Sequence, residues 1–285
     1  MGGMIDRLPP PTFHRPVRAG GALKSSPPLL ALLVLASLPA AAAAPTTQRN
    51  FSVTGFDRIR IDGPYKVTLK TKVATYARAT GSAASIDGLQ MKVEGRTLVV
   101  RAGTGGWGGY PGEARGPVTI EVGTHELSAI YINGPGALEV DRIKGLAFEV
   151  SIQGSGTARI GQVDVDQMKV GVSGAATARL AGRVAKLTAT IRGTSALEGE
   201  SLSVRDAVIG AEGPSIVRMA VTNSAKVDAN GLVSVTLTGN PACTVKARGS
   251  MVKSSGICSR RNSPSVATQV RRRSLPIRTC CALKL

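Results

Sequence analysis

The sequence predicts an all-β chain wound as a β-solenoid, single-stranded and β-helix-like, with rungs of about 20 residues behind an N-terminal β unit. Three observations carry that reading. A glycine-centred phrase recurs as INGPGALEV, IQGSGTARI, VSGAATARL, IRGTSALEG and AEGPSIVRM between residues 132 and 219, with a weaker ANGLVSVTL at 229–237. Its lead glycines, Gly134, Gly154, Gly174, Gly193, Gly213, Gly231 and Gly249, stand 20, 20, 19, 20, 18 and 18 residues apart. Columns at a fixed offset from the glycine keep one character: Val150, Val170, Ala189, Ile209 and Val227 lie four residues before it, with polar residues between such apolar columns. Within a rung the period is two, which means strands with one inward face. Between rungs like residues stack on like, which buries an apolar row against its neighbours. A helical solenoid would need a period near 3.6 and a longer unit.

Residues 1–44 read as a signal peptide. Arg15, Arg18 and Lys24 form a positive leader, LLALLVLASL at 29–38 is the apolar run, and Ala40 to Ala44 supply small residues for cleavage. The run is shorter than the roughly 20 apolar residues a membrane span needs. Only this export signal would touch a membrane, and the product is expected in the periplasm, at the cell surface or secreted.

Residues 45–123 form the N-terminal β unit. In FDRIRIDGPYKVTLKT, Ile59 and Ile61, then Val67 and Leu69, alternate on one face, with Gly63-Pro64 as the turn between them. LQMKVEGRTLVVRAG has the pattern of a hairpin around Glu94-Gly95-Arg96. The glycine-rich loop 103–116 carries Trp107 and Tyr110, a candidate ligand loop in which glycines let backbone approach a sugar or peptide under an aromatic face; a mobile loop is the alternative.

Residues 124–258 form the repeat region. Five residues after each glycine come Glu139, Arg159, Arg179, Glu198 and Arg218. With neighbouring strands about 4.8 Å apart, Glu139 can meet Arg159, and Glu198 can meet Arg179 and Arg218. Cys243 and Cys258 flank the last rung. In an oxidising compartment they read as a disulfide that closes a loop of about 15 residues, worth roughly 3 kcal/mol in chain entropy. Spacing alone leaves two free thiols open.

Residues 259–285 form a basic, aperiodic tail expected to be disordered. The formal charge of +18 is inflated by the ends: residues 1–44 contribute +3 and 259–285 contribute +7, which leaves +8 on the body. Arg271-Arg272-Arg273 has the charge to touch an anionic surface. No nucleic-acid partner is expected, because no aromatics interleave and an exported chain rarely meets one.

Catalytic machinery is hard to assemble. Of the two histidines, His14 leaves with the signal and His125 reads as a solvated loop residue. No Ser-His-acid arrangement, phosphate loop or metal-ligand spacing occurs, so no catalytic residue, cofactor or metal is assigned. Asp164 and Asp166 point one way from their strand, with Asp141, Arg142 and Lys144 a rung away. They read as solvated turn residues, yet a paired-carboxylate site on adjacent rungs is the alternative.

Taken together, FDRIRIDGPYKVTL, QMKVEGRTLVVR and the recurring xxGxG rungs over about residues 52–252 resemble the bacterial family described as "putative auto-transporter adhesin, head GIN domain", a domain of unknown function. The resemblance implies an exported β-solenoid-type fold without established catalytic activity. The functional expectation is a non-enzymatic cell-envelope module of structural or adhesion type whose partner is an envelope glycan or a surface protein. The alternative is a polysaccharide lyase or hydrolase on a β-helix scaffold.

Overall fold

The computed structural model describes residues 46–103 and 117–260. Residues 1–45, which include the expected signal peptide, lie outside the described residues, as do Trp107, Tyr110 and the tail from 261.

The chain opens with β1 (Thr47–Phe51), β2 (Arg58–Asp62), β3 (Lys66–Thr71) and β4 (Tyr76–Gly81). One helical turn follows, α1 (Ala83–Asp87), where the Ser82 hydroxyl caps the helix by accepting from Ser85 N. Then come β5 (Leu89–Glu94), β6 (Thr97–Ala102), β7 (Thr119–Thr124) and β8 (Ala129–Asn133). Alternation decides what they bury: Ile59, Ile61, Val67 and Leu69 are fully enclosed while Arg58, Arg60 and Lys66 face out. β2 lies parallel between β6 and β8. Against this parallel core β5 runs antiparallel on β6, β4 on β7, and β1 on β4.

Each following repeat is one long bent strand: β9 (Ala137–Gly154), β10 (Thr157–Gly174), β11 (Thr177–Gly193), β12 (Ala196–Glu212) and β13 (Ile216–Asn230). They pair in parallel, in register except at bulges near the bends. β3 lies parallel between β7 and the first part of β9, so the N-terminal strands continue both long sides of the repeat stack. In β9 the inward residues are Leu138 and Val140, then Ile143, then Phe148, Val150 and Ile152. The breaks in alternation mark two bends, and the glycine turn is the third. The cross-section therefore has three sides, two long and one short, the short one running through residues 142–145, 162–165 and their equivalents. Later rungs divide into β14 (Ser234–Thr238), β15 (Ala242–Arg248), β16 (Met251–Ser254) and β17 (Cys258–Arg260).

Every lead glycine adopts the left-handed conformation, and the stacking explains why. At Gly174 (φ 101°) an added Cβ would collide with the Gly154 carbonyl oxygen, the turn below. The ladder also has a member that the repeat spacing hides. Gly63 (φ 120°) donates its N–H to Asn133 O at 3.1 Å, and IDGPYKVTL lies over INGPGALEV with Ile61 on Ile132 and Val67 on Leu138. Gly63-Pro64 is thus the first rung turn and not a hairpin turn.

The apolar columns stack as the sequence requires. Val150, Val170, Ala189, Ile209, Val227 and Val245 form one continuous row. A second row runs Phe148, Met168, Leu187, Ala207, Ala225, Cys243 and Cys258. Its register step is 20 residues at Phe148 and Met168, 18 at Ala225 and Cys243, and 15 at Cys243 and Cys258. The last pair forms a disulfide with Cα atoms 4.4 Å apart. The outer ladder departs at one point: Arg159 meets Glu139 at 3.9 Å and Arg179 meets Glu198 at 2.6 Å, but Arg218 reaches Glu200 at 3.7 Å. The register shift between Gly199 and Ser203 swings Glu200 within its reach.

Candidate functional site

The short third side starts abruptly. Its first rung is 142–145, yet β3 has ended at Thr71 and β7 at Thr124, so the segments crossing that level are not strands. They are tied instead by Lys72 N donating to His125 O (3.1 Å) and Thr71 N donating to Asp141 Oδ1 (3.1 Å). The step leaves two hollows, one on each side of the bend at 145–147.

The first hollow, about 240 Å³, is lined by Lys72, His125, Glu126 and Lys144 over the buried side chains of Leu127 and Ile143. Lys72 holds φ 60°, a left-handed backbone that costs a non-glycine residue of order 1–3 kcal/mol. Asp141 beside it is occupied structurally, since it also accepts from Arg142 N at 2.6 Å.

The second hollow, about 350 Å³, lies on the adjoining long side among Arg58, Tyr131, Glu149, Gln167 and Lys169. Register explains its floor. Arg58, Ala129, Glu149 and Lys169 follow one another across four strands, and the short Ala129 sits between longer neighbours. Tyr131 projects outward two residues along β8 and donates its hydroxyl to Glu149 Oε2 at 3.4 Å. Partial burial, and then the charge of Glu149, push its phenol above its ordinary pKa, so it remains a neutral donor.

The residues singled out in the sequence fall elsewhere or play other parts. Trp107 and Tyr110 lie outside the described residues. His125 is exposed and lines the first hollow without a partner on its ring among the described residues. Asp164 stands in register between Lys144 and Arg183 and meets Arg183 at 3.9 Å, on the open third side and not in a cleft. Asp166 faces solvent. Asp141 bonds backbone. Cys243 and Cys258 are joined inside the terminal rungs, far along the stack from both hollows. Sequence reasoning passed over Arg58, Lys72 and Tyr131, and named Lys144 only as a neighbour of Asp164 in the alternative carboxylate site. Tyr131 had a readable signal: it occupies an outward offset that holds Ser151, Gly171, Thr190 and Gly210 in the later rungs.

Among solved structures the fold is similar to a "putative adhesin" from Bacteroides fragilis, with TM-score 0.65 and 15% identity, covering 76% of this chain and 97% of that one. It is also similar to a "putative lipid binding protein" from Parabacteroides distasonis, with TM-score 0.57 and 16% identity, covering 76% and 97%. A third, a "putative adhesin" from Parabacteroides merdae, gives TM-score 0.53 and 12% identity, covering 76% and 96%. At these identities the likeness shows the fold alone. A comparison with curated proteins gives no match. The family model described as "Putative auto-transporter adhesin, head GIN domain" matches residues 55–241. On that match over most of its length, the chain belongs to the putative auto-transporter adhesin, head GIN domain family.

Proposed function

We propose that this chain is an exported, non-enzymatic module of the cell envelope, of structural or adhesion type, that binds an envelope glycan or a surface protein. One observation carries the non-enzymatic part. Each hollow is lined by a single carboxylate, Glu126 in one and Glu149 in the other. Glycoside hydrolysis of the usual kind needs two carboxyl groups held across one bond. Of the acids weighed from the sequence, Asp164 meets Arg183 on the open third side and Asp141 accepts from backbone N–H groups. The family and two of the named neighbours, all described as adhesins, support the adhesion reading and the exported location. Among the described residues no helix is long and apolar enough to cross a membrane.

The test uses the full chain freed of its export segment. It should be retained on envelope preparations and should leave a panel of polysaccharides uncleaved. Turnover that disappears in Asp164→Asn or Asp166→Asn would replace this reading with a polysaccharide-active enzyme.

A further inference from the structure

The two hollows are lined by consecutive segments of the chain. Leu127 lines the first and Ser128 the second; Lys144 lines the first and Ala147 the second. Leu146, 78% exposed, stands on the ridge between them. Their chemistries differ and complement each other. The second offers an aromatic ring with Arg58, Glu149 and Gln167 around it, planar groups that grip neighbouring hydroxyls. The first offers two lysines and a histidine against one carboxylate.

We propose that the two hollows form a single binding site for an acidic oligosaccharide: a sugar ring packs on Tyr131, and the carboxylate of the adjoining residue sits between Lys72 and Lys144. This deepens the envelope-adhesion reading and rests on it. Charge bookkeeping along the stack favours an acidic ligand. On the regular rungs several arginines pair with an acid of a neighbouring rung, as Arg159 does with Glu139 and Arg179 with Glu198, while isolated cations such as Lys186, Lys226 and Lys246 stand singly among the described residues. Around the hollows Arg58, Lys72, Lys144 and Lys169 form no ion pair among the described residues. What sets the hollows apart is the gathering: four cations stand around two lining carboxylates, Glu126 and Glu149, with Asp164 in register beside Lys144. Unpaired like charges gathered at one place repel each other and are relieved by an anion.

The backbone at Lys72 points the same way. A left-handed non-glycine residue persists only where its surroundings impose it, and such residues cluster at ligand sites. Here the hydrogen bond from Lys72 N to His125 O holds the strained turn against the hollow. The aromatic contact identifies the ligand as a sugar and not a bare polyanion. Among the described residues Tyr131 is the only aromatic at its outward offset in the stack, and it lies beside the cationic hollow. The position also has a structural cause. The hollows lie where the third side begins, a step that the regular rungs beyond it do not repeat.

The probes are a panel of oligosaccharides containing glucuronate, galacturonate or sialate, their neutral counterparts of equal length, and inorganic polyphosphate. The chain should bind at least one acidic sugar about tenfold better than its neutral counterpart. Tyr131→Ala should weaken that binding at least tenfold, and Tyr131→Phe, which keeps the ring, by no more than about threefold. Lys72→Gln with Lys144→Gln should abolish the preference for the acidic sugar over the neutral one. Lys226→Gln with Lys246→Gln, which removes equal charge farther along the stack on the long side that carries Tyr131, should change nothing. The proposal is overturned if no acidic sugar binds, if polyphosphate binds as well as the sugars, or if both lysine pairs have equal effects. Retention of wild type and all variants alike on envelope material would leave the adhesion reading standing and remove this one. Sugar binding without retention would do the reverse.

Discussion

At the start of the stack the outermost pairings are antiparallel: β1 on β4, and β5 on β6. At the other end they are parallel and only three or four residues long, β15 with β17 and β14 with β16. Both ends face the same hazard, a row of unpaired backbone groups that invites another strand. Reversing strand direction at the first end lets short local hairpins cover the parallel core, helped by the capped turn α1. The second end gains a covalent tie instead, Cys243 to Cys258, within a row that elsewhere holds only apolar side chains. The contrast teaches that the middle of the stack is confined by neighbours above and below, whereas the last rungs are confined from one side only.

Substituting a glycine at each level tests this directly and should give the largest effect. Gly174→Ala adds a Cβ against the Gly154 carbonyl in a left-handed turn, and both costs fall on a rung that cannot shift. We expect a loss of more than about 3 kcal/mol from strain and collision together, read as a lost folding transition in urea. Gly249→Ala meets nothing closer than Gly231 O at 3.6 Å, with φ 67°. It should cost only the conformational strain, about 1–2 kcal/mol. Equal losses at the two sites would break the contrast.

Next in size is the tie itself. Replacing Cys243 and Cys258 together by serine removes a constraint on a loop of 15 residues, worth at most roughly 3 kcal/mol. The effect should be local: hydrogen exchange should quicken in β15, β16 and β17 and leave β2, β6 and β8 unchanged. Uniform acceleration across the chain would show that the end is not separable from the middle.

The smallest effect concerns a different clasp, between β12 and β13. The Asp206 carboxylate accepts from Ser224 Oγ and Asn223 Nδ2, both at 2.6 Å, and from Arg205 Nε at 3.0 Å. These bonds, that of Ser224 first, lower its pKa from 3.8 to about 2. A lowered folded-state value means that its contribution is present above pH 3.8 and is lost as pH falls through about 2. Asp206→Asn should therefore lower stability modestly at neutral pH and flatten the acid limb, so that the variant and the wild type converge as pH falls towards 2. The middle would then loosen in acid and the far end under reductant.

Much of this was written in the order of residues. The glycine interval and the apolar columns at even offsets predict the rungs, the inward rows and two of the ion pairs. Gly63 escapes because 71 residues separate it from Gly134, while other rungs repeat every 18–20. The covering hairpins intervene, and only the likeness of IDGP to INGP betrays the shared turn. Arg218 pairs with Glu200 because a bulge displaces the register locally, which periodicity cannot foresee. The hollows were illegible for a deeper reason. They arise where the third side begins, a property of which segments fail to become strands. Lys72, His125, Lys144 and Tyr131 converge there from separate parts of the chain, with no spacing rule to join them.

The shrinking register step along the row from Phe148 to Cys258 carries one more consequence. Five fewer residues per circuit, 15 against 20, shorten the perimeter by about 16 Å at roughly 3.3 Å per residue. Side-chain bulk falls with it, from phenylalanine to alanine, so the coil narrows like a spire. A narrow tip laid on the broad base of another copy would leave close to half of that base uncovered, a poorer fit than the one between neighbouring rungs.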